Sequence, residues 1–172
     1  MTVKVLNHPL INVLMTNLRS KETSSFEFRY TAKKISSLMA YEIFKDLKIE
    51  RKKIDTPLDN FLGAKVKDPK PCVISILRAG LIISEGITDI FDDVSIGHIG
   101  MYRDEKTLSP VNYLIKLPSN LQNRQCFLCD PMLATGGSAI SSLEPLKQNN
   151  ASEITLICLL ASEEGIKNVK EK

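Results

Sequence analysis

The sequence predicts an α/β fold: a mostly parallel sheet flanked by helices, with an N-terminal helical arm and a hairpin excursion ahead of it. Three observations predict it. Short apolar runs rich in β-branched residues recur at residues 72–77, 94–101, 125–129 and 154–161. Stretches with helical patterning follow most of these runs. The rhythm begins only after a charged segment broken by Pro57, Gly63 and Pro69. Strands alternating with helices indicate βαβ units, because a parallel neighbour needs a crossover long enough to bring the chain back.

Taken in order, Asn7-His8-Pro9 reads as a turn after a short N-terminal arm. Residues 24–47 form a long helix, since Phe28, Ala32, Ile35, Met39, Ile43 and Leu47 recur at i+3/i+4 and build one apolar stripe. Thr23 or Ser24 supplies the cap. Residues 48–70 read as a hairpin with solvated lysines. The run Cys72–Leu77 is a strand, and Gly80 opens a helix over residues 81–91. Residues 94–101 and 125–129 are the next strands. A helix over residues 137–149 contains Pro145, which is expected to bend it or end it early. Residues 154–161 form a fourth strand, and a short helix with an acidic start follows from Glu163. Ligands of such sheets bind beyond the carboxyl ends of the strands, here immediately after Leu77, Met101, Cys129 and Ala161.

Composition narrows the classes of function. The 172 residues are 43% hydrophobic and 25% charged, which excludes a disordered chain, a collagen-like repeat and a coiled coil. A net charge of +3 suits phosphorylated small molecules and is too weak to argue for nucleic acid. No apolar stretch is long enough for a membrane span and the N-terminus carries no secretory h-region, so no membrane partner and a cytoplasmic location are expected. Cys126 and Cys129 form a C-x-x-C, but on a strand these positions face opposite sides and cannot share a metal or a disulfide. Cys72, Cys126, Cys129 and Cys158 all sit in apolar runs, where a thiol acts as a small buried hydrophobe.

The strongest chemical signal follows the third run: Asp130, Pro131, Met132, Leu133, Ala134, Thr135, Gly136, Gly137 and Ser138. It is neither a Walker loop nor a G-x-G-x-x-G fingerprint. Its physics is that of an anion cradle. Two glycines let the backbone approach a ligand and turn its N–H groups inward. A helix N-terminus adds free donors and a favourable dipole. Thr135 and Ser138 add hydroxyls, and Asp130 at the strand tip can accept bonds from sugar hydroxyls. The plainer alternative is a tight strand-to-helix turn with Ser138 as the helix cap.

An apolar strand followed by Asp and Thr-Gly-Gly-Ser resembles the phosphoribosyl-diphosphate signature of the type I phosphoribosyltransferase family. The wording Asp130 to Ser138 resembles the uracil phosphoribosyltransferases within it. Asn7-His8-Pro9-Leu10 is similar to that family's N-terminal arm, and Ile76-Leu77-Arg78-Ala79-Gly80-Leu81 to its pyrophosphate loop. Gly100-Met101-Tyr102-Arg103-Asp104-Glu105, Thr107-Leu108, Pro110 and Lys116-Leu117-Pro118 are similar to its flexible loop. Ser75 and Asn112 depart from it, standing where the family has proline.

The resemblance implies that uracil and phosphoribosyl diphosphate give UMP and diphosphate, in pyrimidine salvage. It implies that residues 130–138 hold the ribose 5-phosphate, with Asp130 near the ribose hydroxyls, and that Arg78 and Arg103 hold the diphosphate. Arg103 and Asp130 would then be the catalytic residues, through positioning and electrostatics. A non-proline cis peptide is expected near Arg78-Ala79-Gly80, and residues 102–118 are expected to act as a lid. Mg²⁺ is expected as the cofactor, held mainly by the substrate's own oxygens, and a homodimer or higher assembly with GTP as an effector is implied. Relatives continue beyond the equivalent of Lys172 into a segment that reads uracil. The expectation is therefore one phosphoribosyltransferase domain over residues 1–172 without that base-binding segment. Two other readings stay open: a non-catalytic chain that binds phosphoribosyl diphosphate or only dimerises, and a regulator of the same fold that binds nucleotides or RNA.

Overall fold

A computed structural model describes residues 2–103 and 110–172, and every side chain among these except Arg103 and Pro110. The N-terminal arm contains α1 (Pro9–Arg19), capped by His8 with Pro9 at its first position, where a missing N–H costs nothing. The long predicted helix is α2 (Ser25–Ile43). Ser24 is its cap and closes a reciprocal pair of bonds with Glu27, which satisfies two amides of the first turn. Beyond Ile43 the chain tightens into a 3-10 turn, Phe44–Asp46, so α2 ends short of Leu47. Leu18 of α1 meets Ala32 and Ile35 of α2 in a small core of their own.

The charged excursion is a hairpin of β1 (Ile49–Asp55) and β2 (Asn60–Val66), which forms a separate two-stranded sheet. The central sheet follows. β3 (Cys72–Leu77) leads into α3 (Leu81–Thr88), which ends three residues before Phe91. Then come β4 (Ser95–Arg103), β5 (Pro110–Lys116) and β6 (Gln125–Cys129). A two-residue strand, β7 (Met132–Leu133), precedes α4 (Gly137–Gln148). The chain closes with β8 (Glu153–Ile157), β9 (Leu160–Ala161) and α5 (Glu163–Lys170). The strand order is β5-β4-β3-β6-β8, parallel throughout except for β5.

Three departures from the sequence reading have physical causes. β5 falls within residues expected to form a lid, yet it pairs antiparallel along β4. The run at 154–161 is two strands, because Leu159 and Leu160 turn their N–H groups to the Pro131 carbonyl and carry the chain out of the central sheet to pair β9 with β7. Pro145 does not end α4, which runs on to Gln148. Pro145 and Leu146 are both buried, and the Asn149 side chain and backbone both donate to the Pro145 carbonyl, holding the last turn in place.

The sheet divides the core. Cys72, Ile74, Ile76, Ile99, Cys126 and Leu128 pack with Leu121 and Leu146 on one face. Val73, Phe127, Cys129 and Ile157 meet Ile83 and Ile87 of α3 and Ala40 of α2 on the other. Cys126 and Cys129 therefore lie on opposite faces, and burial pushes their thiols up, that of Cys126 to about 11. No helix among the described residues is long and apolar enough to cross a membrane.

Candidate active site

Two strand-end loops meet at the carboxyl edge of β3 and β6. In the first, the Leu77–Arg78 peptide is cis, at the amino side of the tripeptide named from sequence. The Gly80 N–H returns to the Ile76 carbonyl at 2.8 Å and closes the loop. No side chain caps α3 at Gly80. A buried hydroxyl pair secures the helix from below instead. Ser75 on β3 donates to Ser84 Oγ at 2.8 Å, and Ser84 donates to the Leu81 carbonyl at 3.0 Å. Ser75, where the resemblance leads to the expectation of proline, thus carries a hydroxyl that is used. Replacing Ser84 with alanine leaves Ser75 buried without this partner. The expected cost is about 1–2 kcal/mol, read as a fall in Tm of roughly 2–8 °C.

In the second loop, Asp130 N–H donates to the Ile157 carbonyl at 3.1 Å, fixing the strand tip. Met132 and Leu133 pair with Leu160 and Ala161. Gly136 then takes a φ of 86°, a left-handed conformation that glycine adopts without strain, and acts as the N-cap of α4. Ser138 is inside the helix and is not its cap. Because Gly136 offers no side-chain acceptor, the first amides of α4 are left for another partner.

An open cavity of about 390 Å³ lies between the loops, lined by Arg78, Asp130, Thr135, Gly137 and Ser138 together with Ile76, Leu77, Ala79, Met101 and Tyr102. Three of the four strand ends singled out from sequence converge here. The end of β9 does not, and leads into α5 instead. Pro131, Met132, Leu133, Ala134 and Gly136 scaffold the loop without lining the cavity: Leu133 is buried beneath it, and the Pro131 carbonyl is held by Leu159 and Leu160. The Arg103 side chain and residues 104–109, including Asp104, Glu105, Thr107 and Leu108, lie outside the described residues.

The electrostatics suit an anionic ligand. Arg78 is exposed and brings a guanidinium to the cavity, and the α4 N-terminus presents its positive end. Burial raises the Asp130 carboxyl from its ordinary 3.8 to about 6, partly offset by the Met132 backbone N–H. Among the described residues no three His, Cys, Asp or Glu side chains are grouped as a metal site. Among the described residues lining the cavity, Asp130 is the one carboxylate. That donor set fits Mg²⁺ held through substrate oxygens, which commonly uses only one or two carboxylates. A second cavity, of about 490 Å³, lies at the amino ends of the strands. Three of the charged residues lining it are engaged with protein partners: Lys48 pairs with Glu153 at 2.7 Å, and Arg124 bonds the Ser119 and Lys70 carbonyls and Ser95 Oγ.

Sequence reasoning missed Ser162 and Asn168 of the last helical segment, whose side chains bond the second loop at the Ala134 and Thr135 carbonyls. No local pattern announces bonds between residues so far apart. Gly165 makes a third contact with that loop, since a Cβ there would lie 2.4 Å from the Ala134 carbonyl oxygen.

Residues 5–172 match the uracil phosphoribosyltransferase family. The chain is 44% identical to the uracil phosphoribosyltransferase of Levilactobacillus brevis over 169 residues, covering 98% of this chain and 81% of that protein. It is 46% identical to that of Lactococcus lactis subsp. cremoris over 170 residues, with the same coverage of both. Among solved structures, the AQ2163 protein from Aquifex aeolicus superposes with a TM-score of 0.87 at 32% identity, over 96% of this chain and 79% of that one. A purine phosphoribosyltransferase from Pyrococcus horikoshii superposes with a TM-score of 0.57 at 16% identity, over 77% and 74%, and shares the fold.

Proposed function

The chain belongs to the uracil phosphoribosyltransferase family, and on that premise we propose how its cavity handles phosphoribosyl diphosphate and uracil to give UMP and diphosphate. The observation that carries the reading is the convergence of Arg78, Asp130, Thr135, Gly137 and Ser138 on one cavity from two strand-end loops far apart in sequence. The ribose 5-phosphate sits against the first turn of α4, where backbone N–H groups and the Thr135 and Ser138 hydroxyls donate to its oxygens. Asp130 accepts from the ribose hydroxyls. Arg78 takes the diphosphate, its planar fork matching phosphate oxygens, and Arg103 is proposed to join it.

The sugar C1′ then lies between the two loops. Its bond to the diphosphate breaks as the bond to uracil N1 forms, the N1 proton passes to the departing diphosphate, and the transition state carries positive charge on the sugar ring. No protein nucleophile is needed. Fixed geometry and a cation at the departing diphosphate supply the acceleration. Mg²⁺, when bound to the substrate, neutralises diphosphate charge.

We extend the proposal to a homodimer or higher assembly. The hairpin of β1 and β2 supports it: a lone two-stranded sheet is marginal in water, and this one exposes Ile54, Leu58, Phe61 and Leu62, with Leu58 98% exposed. An effector role for GTP is proposed from family resemblance alone. The test is UMP formation by the purified chain with uracil, phosphoribosyl diphosphate and Mg²⁺. UMP and diphosphate in equal amounts are expected. A folded chain that turns over hypoxanthine and leaves uracil untouched contradicts the reading.

A further inference from the structure

We infer that the last helix, α5, sets the conformation of the phosphate loop, with Ser162 and Asn168 as positioning residues for the ribose 5-phosphate. The inference rests on the phosphate-loop reading above. Three consecutive carbonyls of that loop are engaged from this one segment. Ser162 N–H donates to the Leu133 carbonyl at 2.9 Å. Ser162 Oγ donates to the Ala134 carbonyl. Asn168 Nδ2 donates to the Thr135 carbonyl at 2.9 Å.

The consequence is geometric. A peptide unit is planar, so its C=O and the N–H of the next residue point in opposite directions. Holding the carbonyls of Leu133, Ala134 and Thr135 toward α5 turns the N–H groups of Ala134, Thr135 and Gly136 away from it. Anion-binding concavities are made of successive N–H groups held in this way.

The floor beneath the loop comes from the same helix. Gly165 and Val169 are the buried positions of α5. Val169 packs with Leu133 and Ala139. A Cβ on Gly136 would lie 3.2 Å from Val169 Cγ2 and 3.3 Å from the Gly165 carbonyl oxygen, so the left-handed turn sits directly on α5. Ser162 also accepts from the Gly165 N–H at 2.9 Å, capping α5 with the same hydroxyl that reaches the loop. The cap of one helix and the carbonyl lock of the other loop are therefore one side chain. Asn168 is the cleaner probe, because it is half-buried, does not cap the helix and makes the Thr135 bond from the final turn.

The experiment titrates ribose 5-phosphate, and separately inorganic diphosphate with Mg²⁺, into wild-type chain, Asn168→Ala and Asn168→Asp by calorimetry, with a thermal melt of each. Asn168→Ala is expected to bind ribose 5-phosphate about tenfold more weakly, for loss of a bond that orders the loop. Asn168→Asp loses the donor and adds a negative charge, and is expected to bind it more weakly still. Diphosphate affinity, which depends on the Arg78 loop, stays within about twofold in both. In the steady state Asn168→Ala raises KM for phosphoribosyl diphosphate more than it lowers kcat. Equal ribose 5-phosphate affinity in wild type and Asn168→Ala overturns the inference alone, as does an equal loss for both ligands. A wild-type chain that binds diphosphate and fails to bind ribose 5-phosphate overturns the phosphate-loop reading and the inference with it.

Discussion

Replacing Asp130 with asparagine lowers kcat/KM for UMP formation by a factor of about 10²–10³ and at the same time raises the thermal stability of the ligand-free protein at neutral pH. Both effects come from one carboxylate. Asp130 stands at the tip of β6, in the cavity, where on the proposed reading its charge serves the sugar and where no ion pair among the described residues compensates for its burial. A preorganised charge of this kind is worth about 10²–10³ in rate when removed. The same burial raises its pKa from 3.8 to about 6. The folded chain then holds the proton more tightly than the unfolded chain. The ionised form costs stability, and this cost grows as pH rises from about 4 through about 6 and is constant above that. Discounted for partial access to water, it is about 1–2 kcal/mol, or roughly 2–8 °C in Tm. The check is Tm against pH for both proteins. Glu27, Glu42, Glu50 and Glu153 have lowered pKa values from their hydrogen bonds and act in the opposite direction, but equally in wild type and variant. The difference in Tm isolates Asp130. It is expected to vanish near pH 4 and to reach its full value by pH 7, with the variant the more stable.

Gly80→Ala is expected to be the most damaging single methyl in the chain. Its Cβ would lie 2.2 Å from the Cys129 carbonyl oxygen and within 2.8 Å of the Ile76 backbone oxygen and nitrogen. All three are backbone atoms of buried central strands, which cannot swing aside as a side-chain tip can. The loop that carries Arg78 must lift away from β6, breaking the Gly80–Ile76 bond that closes it. A cost of about 2–3 kcal/mol is expected, with loss of activity exceeding about 100-fold, because a displacement of about 1 Å is enough to spoil alignment. Gly137→Ala is the control. A Cβ there meets only Thr135 Oγ1, at 3.9 Å, and alanine is the better helix former, so denaturant midpoints should fall for Gly80→Ala and hold or rise for Gly137→Ala.

Much of this architecture was legible where the signal is local. β3 and β6 are apolar runs whose ends match the predicted ones, because strands buried on both faces admit few polar residues. The strand-loop-helix grammar of residues 129–138 announced a ligand loop, and Thr23 or Ser24 announced the start of α2, with Ser24 the residue that caps it. What stayed hidden depends on contacts distant in sequence. β5 shows an alternating pattern but was masked by its place beside a loop motif. The split between β8 and β9 is imposed by the Pro131 carbonyl. Gly136 rather than Ser138 caps α4, because the left-handed turn seated on Val169 fixes the cap two residues earlier. The bond from Asn168 to Thr135 spans 33 residues and has no signature in either segment alone.

The most direct test of the central claim, that the loops after β3 and β6 form one phosphoribosyl-diphosphate site, is calorimetric titration of phosphoribosyl diphosphate with Mg²⁺ into the wild-type chain and Arg78→Ala. Saturable binding of one molecule per chain, weakened about tenfold or more in Arg78→Ala, is the result the account predicts. Binding of equal strength in the two proteins would place the substrate elsewhere and contradict it.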